Sequence, residues 1–229
     1  MIVPRFTQER CLILTDTDVE SLLATAMAAE QQSISSTDPS QLVPAWWEPY
    51  ENTELDLVIS AIEPALKRHA DMYAMPAHPS HAYYPPEDGQ DSAESLAEHQ
   101  TRILTEAAYL AIHSGLRRVV WPIRIPSSHP DRITAIGNAI DRAMLISRLV
   151  SLDATQNSAP EVQIETPFID LSDAQMHELI RDMALPIDSC WWAQAQTIPL
   201  AQIRAEHWIG GEPRGAIQLE PKPGVQSPT

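Results

Sequence analysis

Three carboxylates separated by single residues, Asp16, Asp18 and Glu20, follow the apolar run Cys11-Leu12-Ile13-Leu14 and lead into Ser21. After a strand, Asp16-Thr17-Asp18 offers the donors of a Mg2+-dependent phosphatase, in which one carboxylate attacks and both hold the metal. Such an enzyme also needs a basic residue and later acids converging on the site, and the chain offers no identifiable set. The simpler reading is a helix start, with Thr17 as N-cap, Glu20 as its capping-box partner and Asp18 complementing the helix dipole. A phosphate cradle needs glycine, because backbone amides must approach the anion closely and often at positive φ. Yet the first glycine is Gly89, and no Lys or Arg occurs between Arg10 and Lys67. A triphosphate would meet repulsion at this turn unless a metal intervened.

Other residues with chemical potential are weaker candidates. Asp131 and Arg132 follow a predicted strand and open a helix at the edge of the expected crevice, so they are candidate ligand contacts; the alternative is an N-cap and a surface arginine. Cys190 would be a nucleophile only if a histidine lowered its pKa, and a small buried residue is the favoured reading. His78 and His81, with His69 upstream, are three histidines without a nearby thiol, better read as solvated loop residues than as a zinc site. Trp46-Trp47 and Trp191-Trp192 read as core, with Trp192 or Trp208 as alternative anchors for a partner. Lys67 and Lys222 are the only lysines, so lysine chemistry has one plausible candidate.

The elements that must position these residues alternate between apolar runs and amphipathic segments. Strands are expected at residues 11–14, 42–47, 71–75, 119–123 and 162–164. Helices are expected at residues 18–29, 53–69 with Pro64 kinking or splitting it, 93–114 ended by Gly115, 131–149 opened by Asp131, and 172–183 with a Ser172–Gln175 capping box. A polar linker is expected at residues 153–160, and loops elsewhere. Alternation of this kind predicts a three-layer, doubly wound, mostly parallel five-stranded α/β sheet, Rossmann-like, with helices on both faces. Residues 1–208 read as one domain and residues 209–229 as a flexible tail.

Composition narrows the function. The chain has 229 residues with 15 basic and 31 acidic side chains, a formal charge of -16, which disfavours nucleic acid and anionic membranes as partners. Its 44% hydrophobic content suffices for a core. No 18-residue apolar run occurs and the start lacks a leader pattern, so a cytoplasmic protein is expected. Two distant cysteines make neither a disulfide framework nor a four-thiolate zinc site.

The segment Glu165-Thr166-Pro167-Phe168-Ile169-Asp170-Leu171-Ser172-Asp173, continuing through Leu185-Pro186 to Ser189-Cys190-Trp191, resembles the C-terminal signature of 7-cyano-7-deazaguanine synthases, the ATP-dependent queuosine-pathway enzymes of the N-type ATP pyrophosphatase superfamily. His129-Pro130-Asp131-Arg132 is similar to that family's Tyr-Pro-Asp-Cys-Arg segment. The resemblance runs over roughly residues 10–208 and implies the adenine nucleotide alpha hydrolase-like fold, with Ser21, Asp131, Arg132 and Cys190 as candidate ligand-binding positions. The departures are informative. Asp16-Thr17-Asp18-Val19-Glu20-Ser21 stands in place of Ser-Gly-Gly-x-Asp-Ser, His99-Gln100 in place of Arg-Asn, Asp173 in place of lysine, and only Cys190 remains of the zinc thiols. The resemblance therefore implies a catalytically inactive relative with no catalytic residue, no ATP or zinc cofactor, and a protein or a second copy as partner. The alternatives are an active ATP-dependent synthase-like ligase or other nucleotide-binding enzyme, and the Asp16/Asp18 phosphatase.

Overall fold

The computed structural model describes residues 11–35, 41–45, 55–75, 96–156 and 161–209. Its elements run β1 (Cys11–Thr15), α1 (Val19–Ser35), β2 (Gln41–Ala45), α2 (Leu55–Tyr73), α3 (Leu96–His113), β3 (Arg118–Val120), α4 (Arg132–Gln156), β4 (Gln163–Glu165), α5 (Asp173–Asp182), a 3-10 turn (Ile187–Ser189), α6 (Trp191–Gln194) and α7 (Pro199–Trp208). The strands form one parallel sheet in the order β2-β1-β3-β4.

Both faces of the sheet are covered, as the alternation of elements implies. Cys11, Ile13 and Val120 point into a core shared with α1, α2, α5, α6 and α7. Leu12, Leu14, Val119 and Trp121 point into a second core shared with α3 and α4. Every residue of β1 is buried, as expected for a strand buried on both faces.

Several sequence expectations are corrected. The described sheet has four strands rather than five. Residues 71–75, expected as a strand, instead close α2, which runs to Tyr73 and turns at Ala74 (φ 51). No Gly or Pro stop separates His69 from Tyr73, so helical hydrogen bonding continues until the left-handed residue. Pro64 lies exposed within α2, which continues across it as one helix. The linker expected from residue 153 begins later, because α4 runs to Gln156. β3 stops at Val120, since Pro122 has no amide for the ladder; the chain nevertheless stays beside the β4 segment through Trp121 N–H to the Glu165 carbonyl (2.8 Å) and Ile125 N–H to the Ile169 carbonyl (3.2 Å). Arg118 crosses the same pair of strands with a two-pronged bond to Glu165, both at 2.7 Å.

Two helix ends follow the sequence reading. Gly115 takes φ +70 after α3, and Leu116 N–H reaches back to the Ala111 carbonyl at 2.8 Å, the pattern that favours glycine at this position. Ser172 and Gln175 form the full capping box on α5. Ser172→Ala is expected to cost about 1 kcal/mol, lowering the thermal midpoint by about 3 °C in a chain of this size, as read by calorimetry.

Residues 76–81, 46–50 and 210–229 lie outside the described residues, so His78, His81, Trp46, Trp47, Lys222 and the tail are not placed here. No helix among the described residues is long and apolar enough to cross a membrane.

Candidate functional site

The strand order reverses between β1 and β3: the chain leaves β1 for β2 on one side and returns to β3 on the other. Crevices of parallel sheets open at the carboxyl ends of strands at such a point. A cavity of about 590 Å³ lies there, lined by the turn after β1 (Asp16, Asp18, Glu20), the segment after β3 that carries Arg124 and His129, and Arg204 from α7.

The turn is built differently from the predicted capping box. α1 begins at Val19, so Asp18, not Thr17, occupies the cap position. Thr17 adopts φ 59, a left-handed conformation that a β-branched residue takes only under constraint. Its hydroxyl is buried without a hydrogen-bond partner. Three successive amides of this turn are satisfied by neighbouring side chains. Thr17 N–H donates to Thr15 Oγ1 (3.0 Å), Asp18 N–H to Asp16 Oδ1 (2.9 Å), and Val19 N–H to Asp18 Oδ1 (2.8 Å).

The three carboxylates have different partners. Asp18 is buried; its Oδ1 also accepts from the Trp192 indole at 2.8 Å, and its Oδ2 faces Arg204 Nε at 3.3 Å. Glu20 pairs with Arg124 Nε at 2.9 Å. Asp16 has no cation partner among the described residues, and Ser21 Oγ lies 2.9 Å from its Oδ1. Burial first, then the charges of Asp18 and Glu20, push the Asp16 carboxyl up to about 7.

Arg124 is the electrostatic hub of the crevice. Its side chain, only 3% exposed, meets Glu20 and Asp173, and its guanidinium lies 5.3 Å from the centre of a Trp208 ring. The rings of His177 and His207 pack on that tryptophan. Asp173 thus takes part in an ion pair at the position where the resemblance has lysine.

The sequence-derived candidates separate on this geometry. Asp16 and Asp18 line the cavity, and Ser21 is buried behind Asp16. Asp131 is exposed at the start of α4, where its amide donates to His129 Nδ1 at 3.2 Å. Arg132 donates to the carbonyls of Ile125 (3.2 Å) and Asp170 (2.7 Å), tying the segments after β3 and β4 together at the crevice edge. Cys190 is fully buried. Burial, then Asp18 and Asp16, push its thiol well above the ordinary range, which opposes thiolate chemistry.

Trp192 and Trp208 are buried, which removes them as exposed partner anchors. Lys67 is exposed on α2 and lines no part of the cavity. His69 is not a solvated loop residue: it is buried in α2, with Nε2 3.0 Å from Ser189 Oγ. Among the described residues no group of three His, Cys, Asp or Glu side chains could hold a metal ion.

Arg124 and Arg204 escaped the sequence reading. The available signal for Arg124 was its place between Pro122 and Pro126, just past a buried strand of a strongly acidic chain; nothing local marks Arg204.

Fold and site together define an α/β protein with helices on both faces of a parallel sheet and a charged crevice at its switch point. No family profile and no curated protein matches the chain. Among solved structures it is similar to the U34-tRNA thiolase NcsA from Methanococcus maripaludis, determined with its 4Fe-4S cluster, at 12% identity and a TM-score of 0.48; the match covers 79% of this chain and 59% of that one.

Proposed function

We propose that this chain is a non-catalytic relative of the 7-cyano-7-deazaguanine synthases, kept as a binding or interaction module that does not use ATP. The observation that carries the reading is the turn after β1, whose Thr17, Asp18 and Val19 amides already hold side-chain oxygens. An incoming phosphate would have to displace those acceptors and sit against Asp16 and Asp18, at a cost in hydrogen bonds and in like-charge repulsion. The arginines nearest the turn, Arg124 and Arg204, are turned toward carboxylates of the protein itself.

Titration calorimetry and thermal melts with ATP and Mg2+ test this. No heat of binding and an unchanged midpoint are expected. Ligand at a hundred times its dissociation constant would add about 2.7 kcal/mol, a shift of several degrees, and that result would overturn the reading. Mg2+-dependent phosphatase activity abolished by Asp16→Asn would overturn it in favour of the metal-dependent alternative. That alternative is disfavoured because Asp18 is already engaged by Trp192 and Arg204.

A further inference from the structure

The second core uses one face of α4, with Ala139, Ala143, Ile146 and Val150 buried against the sheet and α3. The opposite face is unusual. Ile133 is 87% exposed, Leu145 66%, Met144 60% and Leu149 56%, with Ile140 and Leu152 close behind. Six of the ten large exposed hydrophobics among the described residues lie on this one helix. Their spacing makes two stripes, Ile133-Ile140-Met144 and Leu145-Leu149-Leu152, about a third of a turn apart and about 30 Å from end to end at 1.5 Å per residue. So many exposed apolar side chains on one helix mark a contact surface, because burying each of them is worth about 1.5–3 kcal/mol.

The charges on the face say what covers it. Asp141 and Arg148 are both exposed and lie between the two stripes, and neither forms an ion pair among the described residues. They are seven residues apart, roughly 10 Å along the axis, too far to pair within one helix. A second copy laid antiparallel, with its two-fold axis between Met144 and Leu145, puts Asp141 of each protomer opposite Arg148 of the other. A two-fold interface requires this self-complementarity. A lipid surface would call for a cationic border, and here the arginines beside the stripes, Arg102, Arg117, Arg142 and Arg148, are interspersed with Glu98, Asp141 and Glu161.

We infer that the chain forms an antiparallel homodimer through the outer face of α4, with reciprocal Asp141–Arg148 pairs along its centre line and Met144 and Leu145 flanking the two-fold axis. α4 also lines the crevice, through Ala135, Asn138, Ala139 and Arg142, but none of the six exposed apolar residues does, so the dimer stands independently of the reading given for the turn after β1.

Sedimentation velocity on the full chain, over a concentration series, tests it with four variants: Leu145→Asp, Asp141→Arg, Arg148→Asp and the charge-swapped double Asp141→Arg/Arg148→Asp. The wild type is expected as a dimer. Leu145→Asp is expected to be monomeric, and each single reversal to weaken association about tenfold or more. The double swap, which restores opposite charges across the two-fold, is expected to recover the dimer. All three positions are exposed, and circular dichroism verifies that each variant is folded. A wild type that stays monomeric throughout the series, or a dimer indifferent to Leu145→Asp, overturns the proposal. A double swap no tighter than the single reversals overturns the antiparallel register.

Discussion

Arg124→Met is expected to be the most damaging single substitution in the crevice, with a loss of about 3–5 kcal/mol, read as a fall of about ten degrees or more in the thermal midpoint. Methionine fills much of the same volume but carries no charge, so the ion pairs and the cation over the Trp208 ring are lost together. The guanidinium is 3% exposed and neutralises Glu20, itself 14% exposed, together with Asp173. Removing it leaves Glu20 half-buried beside Asp16 and Asp18 with no counter-charge. The double variant Arg124→Met/Glu20→Gln should recover part of the loss, because the stranded charge is gone. A single variant as stable as the wild type would mean that the pairing contributes nothing net to folding.

Asp16→Asn is expected to stabilise the protein at neutral pH and to leave it unchanged near pH 4. In the native chain the Asp16 carboxyl keeps its proton up to about 7, whereas the unfolded chain releases it in the ordinary carboxylate range. The native state therefore binds the extra proton between these limits. Stability falls as pH rises through that window, and the full deficit is present above it. A displacement of this size corresponds to about 4 kcal/mol; because Asp16 is only half-buried, about 2 kcal/mol is the expected gain for the asparagine variant at pH 8.

His69 acts with the opposite sign. Burial first, then Arg68, hold its imidazole down to about 4, so the unfolded chain binds the extra proton between about pH 4 and 6.5, and stability rises with pH there. The two slopes offset one another in the wild type. Urea melts from pH 4 to 8 should therefore show a steeper rise for Asp16→Asn and a fall with pH for His69→Gln. Parallel profiles for wild type and Asp16→Asn would remove Asp16 as the group that holds the proton.

How much of this was legible in the sequence depends on whether the determinant was local. The run from Cys11 to Leu14 and the periodic faces of α3 and α4 carry their structure in neighbouring residues, and the parallel, two-faced architecture follows from their alternation. The extra strand at residues 71–75 arose because Met72, Tyr73 and Met75 satisfy a short apolar pattern; the winning factor was the missing helix stop after His69. The capping box at Thr17 failed for a related reason, since Asp18 takes the cap and forces Thr17 into a conformation its side chain disfavours. Arg124 was invisible because its carboxylate partners stand 104 and 49 residues away along the chain. The cluster of acids at the crevice could be read directly, whereas the raised carboxyl of Asp16 depends on how the folded turn buries it and sets Asp18 and Glu20 beside it.

The turn after β1 has one further consequence. Each oxygen that occupies its amides comes from a residue no more than two positions away, so a hinge motion or domain rotation that moves whole elements leaves it occupied. Mutational drift faces the same obstacle, because altering Thr15, Asp16 or Asp18 alone frees a single contact and leaves the remaining pair intact. Any ancestral state with vacant amides at this bend is thus separated from the present one by a coordinated rewrite rather than by one reversible step.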